Sequence, residues 1–131
     1  MRARLLLRYA WASPGSLAGL LLAVPALCAG ATLRRVDGVL EVAGGRVDRL
    51  IAVLPASLRF AAITFGHVVL GTDHTTLACL RRHEHVHVRQ YERWGVLFLP
   101  LYAASSAIQW LRGRDPYRDN WFEREAFRLD R

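Results

Sequence analysis

Three kinds of hydrophobic pattern follow one another along the chain. The first is unbroken. From Ala10 to Leu33 no residue is charged, and the middle of the run reads LAGLLLAVPAL. A run of this length is long enough to cross a bilayer as a helix. Arg2, Arg4 and Arg8 precede it, Arg34 and Arg35 close it, and Pro25 inside it is tolerated in a membrane helix as a kink. The same layout, ending in CAGA, fits a secretory signal peptide cleaved after Ala31. The preferred expectation is an uncleaved membrane anchor over residues 1–33 and a small domain over 34–131, with a buried soluble helix ranked third.

The second pattern alternates apolar and polar positions. VDGVLEVAGG predicts one short strand and a turn, and FAAITFGHVVLGTD predicts two short strands around Gly66. Between them RVDRLIAVLPASL has a helical period that Pro55 ends. The third pattern is a sustained helical period from Thr75 to about Trp94, capped by Asp73 or Thr75. A second apolar run, Gly95 to Leu111, contains Pro100. The polar loop RGRDPYRDN and a last helix from about Trp121, capped by Asp119 or Asn120, complete the chain. The predicted fold class is α+β: mostly helical, with a short β-hairpin before the long helix and an N-terminal membrane helix.

Charge adds one exclusion. The formal net charge is +7 and every basic residue is Arg, but the arginines are scattered, with no aromatic-interleaved basic stripe and no nucleic-acid motif. Nucleic acid is therefore not an expected partner, whereas an anionic membrane is. Two cysteines, Cys28 and Cys79, make no disulfide framework and are expected as buried free thiols.

The stretch CLRRHEHVHVRQYERWG, Cys79 to Gly95, carries the chemistry. A strand would place His83, His85 and His87 on one face, with Glu92 as a further ligand in a cupin-like barrel. Flanks of Leu, Arg, Gln and Glu without a nearby glycine favour a helix instead. At about 100° per residue, Leu80, His83, Glu84, His87, Tyr91, Trp94 and Phe98 fall on one side. Arg81, Arg82, His85, Arg89, Glu92 and Arg93 fall on the other, which makes His85 an expected solvated residue. Two imidazoles and a carboxylate on a face destined for burial need partners. The spacing is HExxH, so His83 and His87 can hold one Zn²⁺ while Glu84 serves as general base to a water.

A catalytic zinc site usually takes three protein ligands. In DNWFEREAFRLD wound as a helix, Glu123 shares a face with Phe122, Ala126, Phe127 and Leu129, while Glu125 turns away toward Arg124 and Arg128. Glu123 is the better third ligand.

HExxH followed on a later helix by Glu-x-x-Ala, here EREA from Glu123 to Ala126, resembles the gluzincin-type zinc metallopeptidases. Among these the CAAX prenyl endopeptidases and the peptidase domains of β-lactam sensor-transducers are membrane-bound. The resemblance covers roughly residues 60 to 131, including the HVHVRQYE continuation, and implies a zincin-like core with Glu123 as the third ligand. It also implies that the hairpin Ile63–Gly71 binds extended substrate by strand addition, through Gly66, His67, Val68 and Val69. The aspartate expected after the alanine, which supports a ligating histidine, is replaced by Phe127. Asp130, one turn on, is the stand-in. Tyr117, Arg118 and His67 are the candidates for stabilising an oxyanion.

The implied activity is hydrolysis of a peptide or a membrane-proximal protein segment. Two rivals are a non-catalytic zinc-binding module of the same fold and a small basic membrane protein without metal. Because His83 and His87 precede the run 95–111 and Glu123 follows it, a shared metal requires that run to fold back as a core or interfacial hairpin.

Overall fold

Asp37 and Gly38 both adopt positive φ, 51° and 78°, the backbone that a two-residue hairpin turn needs. They fold strand β1 (Thr32–Val36) back onto β2 (Val39–Ala43). The strand expected in VDGVLEVAGG is β2, and its partner β1 was not expected. The first strand starts at Thr32, inside the uncharged run, because the Asp-Gly turn gives that segment a pairing partner. In the computed structural model, which describes residues 1–131, the fold is α+β. Helix α1 (Arg2–Cys28) precedes the sheet, and α2 (Val47–Ala52) follows β2. A second hairpin, β3 (Ala62–Phe65) and β4 (Val68–Gly71), turns at Gly66. Then come α3 (His74–Trp94), α4 (Phe98–Leu111) and α5 (Trp121–Leu129).

The four strands lie in the order β1-β2-β4-β3. β2 and β4 are parallel neighbours in the centre, and both outer pairings are antiparallel. Alternation along the strands gives the sheet two covered faces. Val42, Val68 and Leu70 form one cluster with Ala23 and Ala26 of α1, with Ile63 and Phe65 packed against it. Val39, Ala43 and Val69 meet Leu77 and Val88 of α3 on the other face, beside Ala62.

Helix α1 therefore belongs to the domain, and the expected boundary at residue 33 is not a boundary of packing. Its buried stripe is Ala12, Gly15, Gly19, Ala23 and Ala26, all small, at helical spacing. Small size is required. A Cβ on Gly19 would lie 2.7 Å from Cβ of Val68 and 3.0 Å from Cβ of Phe65. Side chains further tie the helix down: Tyr9 donates to the Gly38 carbonyl at 2.9 Å, and the His67 amide donates to Ser16 Oγ at 2.9 Å. By length and composition two stretches could cross a membrane, Arg2–Cys28 and the α3–α4 stretch His74–Leu111.

The second apolar run is a short 3₁₀ turn, Gly95–Leu97, followed by the single helix α4, and the chain folds back only in the loop after it. Gly95 turns the chain with φ 56°, where any side chain would collide with the Trp11 ring. Pro100 sits in the first turn of α4, where a missing N–H costs no intrahelical bond. The following loop returns along the helix. Ser106 Oγ donates to the Pro116 carbonyl at 2.8 Å, Asn120 Nδ2 to the Tyr102 carbonyl at 3.0 Å, and the Trp121 amide to Ser105 Oγ at 3.0 Å. Helix α5 thus starts beside α4, with the Asn120 carboxamide capping Phe122 N at 2.9 Å.

Candidate metal centre

Asp73 starts α3, accepting from Thr76 N at 2.7 Å, and this sets the phase of the helix. His83, Glu84, His87 and Tyr91 are all buried on the predicted inner face. The other face is not simply solvated. It lies over the sheet, where Arg81 makes a bidentate pair with the buried Glu41, 2.9 Å at each contact, and holds that carboxyl below the usual range. His85 packs beside this pair, its Nε2 3.9 Å from Glu41 Oε2. The expectation of a solvated His85 is corrected because the sheet covers that side of α3. Cys28 and Cys79, expected as buried thiols, are both exposed.

Helix α5 presents Glu123 to α3 and Ala126 to the interior. One ligand atom from each of His83, His87 and Glu123 lies within 4.8 Å of the others, a buried group that could hold a metal ion. Glu123 Oε2 is 2.9 Å from His83 Nε2 and 3.3 Å from His87 Nε2. Both imidazoles are oriented from behind. His83 Nδ1 faces Asp130 Oδ2 at 2.9 Å and His87 Nδ1 faces Gln90 Oε1 at 2.8 Å. Gln90 has little freedom to flip, since its Nε2 donates to the Phe122 carbonyl and to Glu125 Oε1, both at 3.0 Å. With each Nδ1–H committed, each Nε2 is left as the ligating nitrogen. Asp130 is the carboxylate behind His83, and the Phe127 ring packs against the same imidazole, centroids 4.6 Å apart. Two imidazoles and one carboxylate supported in this way fit a divalent transition metal.

The metal-free cluster carries its own charge balance. Burial opposes protonation of His83, but hydrogen bonds to Glu123 and Asp130 outweigh it and raise its pKa to about 9. Burial of His87 is likewise outweighed by Glu123, so its pKa is also raised. Burial would raise the Glu123 pKa, yet the two histidines hold it at about 2. The His83 pKa of about 9 lies above its ordinary 6.5. Its contribution to the metal-free fold is therefore full below 6.5 and is lost as pH rises through about 9. The Glu123 contribution has the opposite sense, present above 4.5 and lost as pH falls through about 2. Ligation requires Nε2 without its proton. Metal uptake at pH 7 is therefore expected to release at least about one proton per ion. Calorimetry in two buffers of different ionisation enthalpy measures this number. A value of zero would show that the histidines are neutral before the metal arrives.

Glu84 lies next to the ligands and is not one of the three. Its Oε2 accepts from Thr64 Oγ1 of β3 at 2.7 Å. Because β3 is hydrogen-bonded only to β4, its outer edge is free. That edge borders a cavity of about 350 Å³ shared by Glu84, His87, Glu123, Tyr102 and Tyr117. A second cavity, about 680 Å³, adjoins it across Glu84 and Tyr117 and reaches His83 and Asp130.

The hairpin residues expected to meet substrate are placed differently. Val68 and Val69 are in β4, buried and paired on both sides, so they have no free edge to offer. Gly66 turns against Ser16 and Ala12 of α1. His67 stacks on Tyr9, centroids 4.1 Å apart, with its Nε2 3.0 Å from Glu92. The open edge facing the cluster is Ala62–Phe65, because β2 occupies the other side of β4. Among the oxyanion candidates, only Tyr117 lines the cavities with Glu84. His67 is held at the Glu92 pair and Arg118 is exposed.

Sequence reasoning missed Tyr102, Thr64 and Gln90. Tyr102 donates to Glu123 Oε1 at 2.7 Å. A signal for it existed. Tyr102, Ser105 and Gln109 recur at helical spacing in an otherwise apolar run, and through Tyr102 and Ser105 that stripe meets α5.

No family model, curated protein or solved structure matches this chain.

Proposed function

We propose that this chain is a membrane-associated zinc metallopeptidase. The observation that carries the reading is the convergence of His83, His87 and Glu123 beside Glu84 at an open strand edge. Two nitrogens and one carboxylate are a common catalytic zinc set, and zinc when bound lowers the pKa of a coordinated water toward about 7. The protein's own residues do the rest. An extended peptide adds to the edge of β3, with its scissile carbonyl above the cluster. Glu84 takes a proton from the attacking water as its oxygen bonds to the carbonyl carbon, then delivers that proton to the nitrogen as the C–N bond breaks. Tyr117 donates to the developing oxyanion. Its pKa is raised to about 12, by burial first and by Glu123 next, so it remains a phenol at neutral pH. Tyr102 is not free for this role, since its hydroxyl is committed to Glu123.

The test is metal content after purification with zinc. Wild type is expected to hold one zinc per chain, and His87→Ala none. Glu123→Gln should weaken binding at least tenfold, about the loss typical for a lost ligand or its support. Glu125→Gln should be nearly silent, because the new carboxamide oxygen can still accept from Gln90 Nε2. Retention of zinc by Glu123→Gln with loss in Glu125→Gln would reverse the ligand assignment.

A further inference from the structure

We infer that α1 lies in the plane of one anionic membrane leaflet, its outer face immersed, and does not cross the bilayer. The inference rests on the membrane association proposed above and is independent of catalysis. Opposite the buried stripe, Leu17, Leu20, Leu21 and Val24 are exposed. Beyond Trp11, whose Nε1 donates to the Arg93 carbonyl at 3.3 Å, the apolar surface continues into exposed Val96 and Leu97.

Crossing is incompatible with what the inner face of the same helix does. Ala23 and Ala26 share a cluster with Val42, Val68 and Leu70, so the sheet must travel with the helix. The sheet ends at β1, which pairs only with β2 and exposes Arg34 and Arg35. Hydrocarbon admits neither an open strand edge nor unpaired arginines without a large penalty. Detaching α1 from the sheet to let it cross alone would uncover that cluster. An in-plane helix meets both constraints, with its apolar face about 5–10 Å below the headgroups. Charge fits the same placement. Arg2, Arg4 and Arg8 are exposed at one end of α1, and Arg46 and Arg49 are exposed beside the other, where the Arg46 amide donates to the Ala29 carbonyl at 2.8 Å. Arginines at both ends suit anionic headgroups on one side of a bilayer.

The experiment uses the full chain with Cys28→Ser and Cys79→Ser, applied to the outside of sealed phosphatidylglycerol vesicles. Single cysteines replacing Arg2, at the start of α1, or Asp48 of α2, beside the other end of α1, are then challenged with a membrane-impermeant maleimide. Both are expected to react fully from outside. Protection of either one would mean that α1 crosses, and would overturn the inference. In parallel, Leu17→Arg with Leu21→Arg should reduce vesicle binding at least tenfold, with thermal unfolding and zinc content unchanged, since neither side chain enters the core. Undiminished binding by that variant, or no binding by wild type, would also overturn it. So would a wild-type dimer in sedimentation that the two arginines dissociate, because the face would then belong to a second copy. Loss of zinc with vesicle binding intact would count against the metallopeptidase reading alone.

Discussion

Glu84→Gln is expected to keep one zinc per chain and to lower peptide hydrolysis by roughly 10²–10⁴-fold, the usual contribution of a general base. The substitution is nearly isosteric at a site that is only 6% exposed, so the packing around it survives. Thr64 Oγ1, which now donates to the carboxylate, can donate equally to a carboxamide oxygen. The three converging ligand atoms do not include Glu84, so coordination is untouched. On the proposed mechanism, what disappears is the ability to accept a proton from water and hand it to the leaving nitrogen. Turnover equal to wild type on a confirmed peptide substrate would sink the mechanism. Loss of zinc together with activity would make Glu84 a structural part of the site instead of its base.

The site was legible in the sequence to the extent that single helices define it. The period of α3 and its Asp73 cap put His83, Glu84 and His87 on one face, and the period of α5 put Glu123 inward. The expectation that Glu125 turns away toward Arg124 and Arg128 is corrected: Glu125 Oε1 accepts from Gln90 Nε2 at 3.0 Å, because α3 also borders that side of α5. The same spacing reaches Asp130 one turn beyond Phe127, where it supports His83. Contacts set by the stacking of layers were not legible. Glu41 is a strand residue that alternation marks only as pointing to one face. Whether Arg81 and His85 meet it depends on which side of α3 the sheet covers. Likewise the free edge beside Glu84 belongs to β3 because β2 pairs in parallel with β4, a pairing between strands with β3 between them in sequence. The role of α1 was ambiguous for a physical reason. A leucine-rich helix with a stripe of glycine and alanine suits close packing equally well against a sheet or against another helix in lipid.

A chain that starts at Thr32, as signal cleavage after Ala31 would leave it, is expected not to fold. The loss of α1 uncovers much of one face of the sheet, leaving only Val47 and Ile51 of α2 in that cluster to cover it. Val42, Val68 and Leu70 would all lose the helix that covers them, and Phe65 would lose its contact with Gly19. Each such side chain is worth about 1.5–3 kcal/mol when buried. Four of them together set an upper bound on the order of 6–12 kcal/mol, since α2 still packs in the cluster and Phe65 is only partly buried, against the roughly 5–15 kcal/mol that holds an ordinary domain together. Two polar ties go as well, Tyr9 to Gly38 and Ser16 to His67. The damage reaches the metal centre, because Ala12 shares a cluster with Tyr91 and Phe98 behind His87. A milder change should act in the same direction. Gly19→Leu forces a side chain against Val68 and Phe65, and overpacking of this kind costs about 1–3 kcal/mol. Denaturant unfolding followed by circular dichroism should show a lowered midpoint for Gly19→Leu and no cooperative transition for the truncated chain. A truncated chain that unfolds cooperatively and still binds zinc would show α1 to be dispensable to the domain, and would restore signal cleavage as the reading of its first 31 residues.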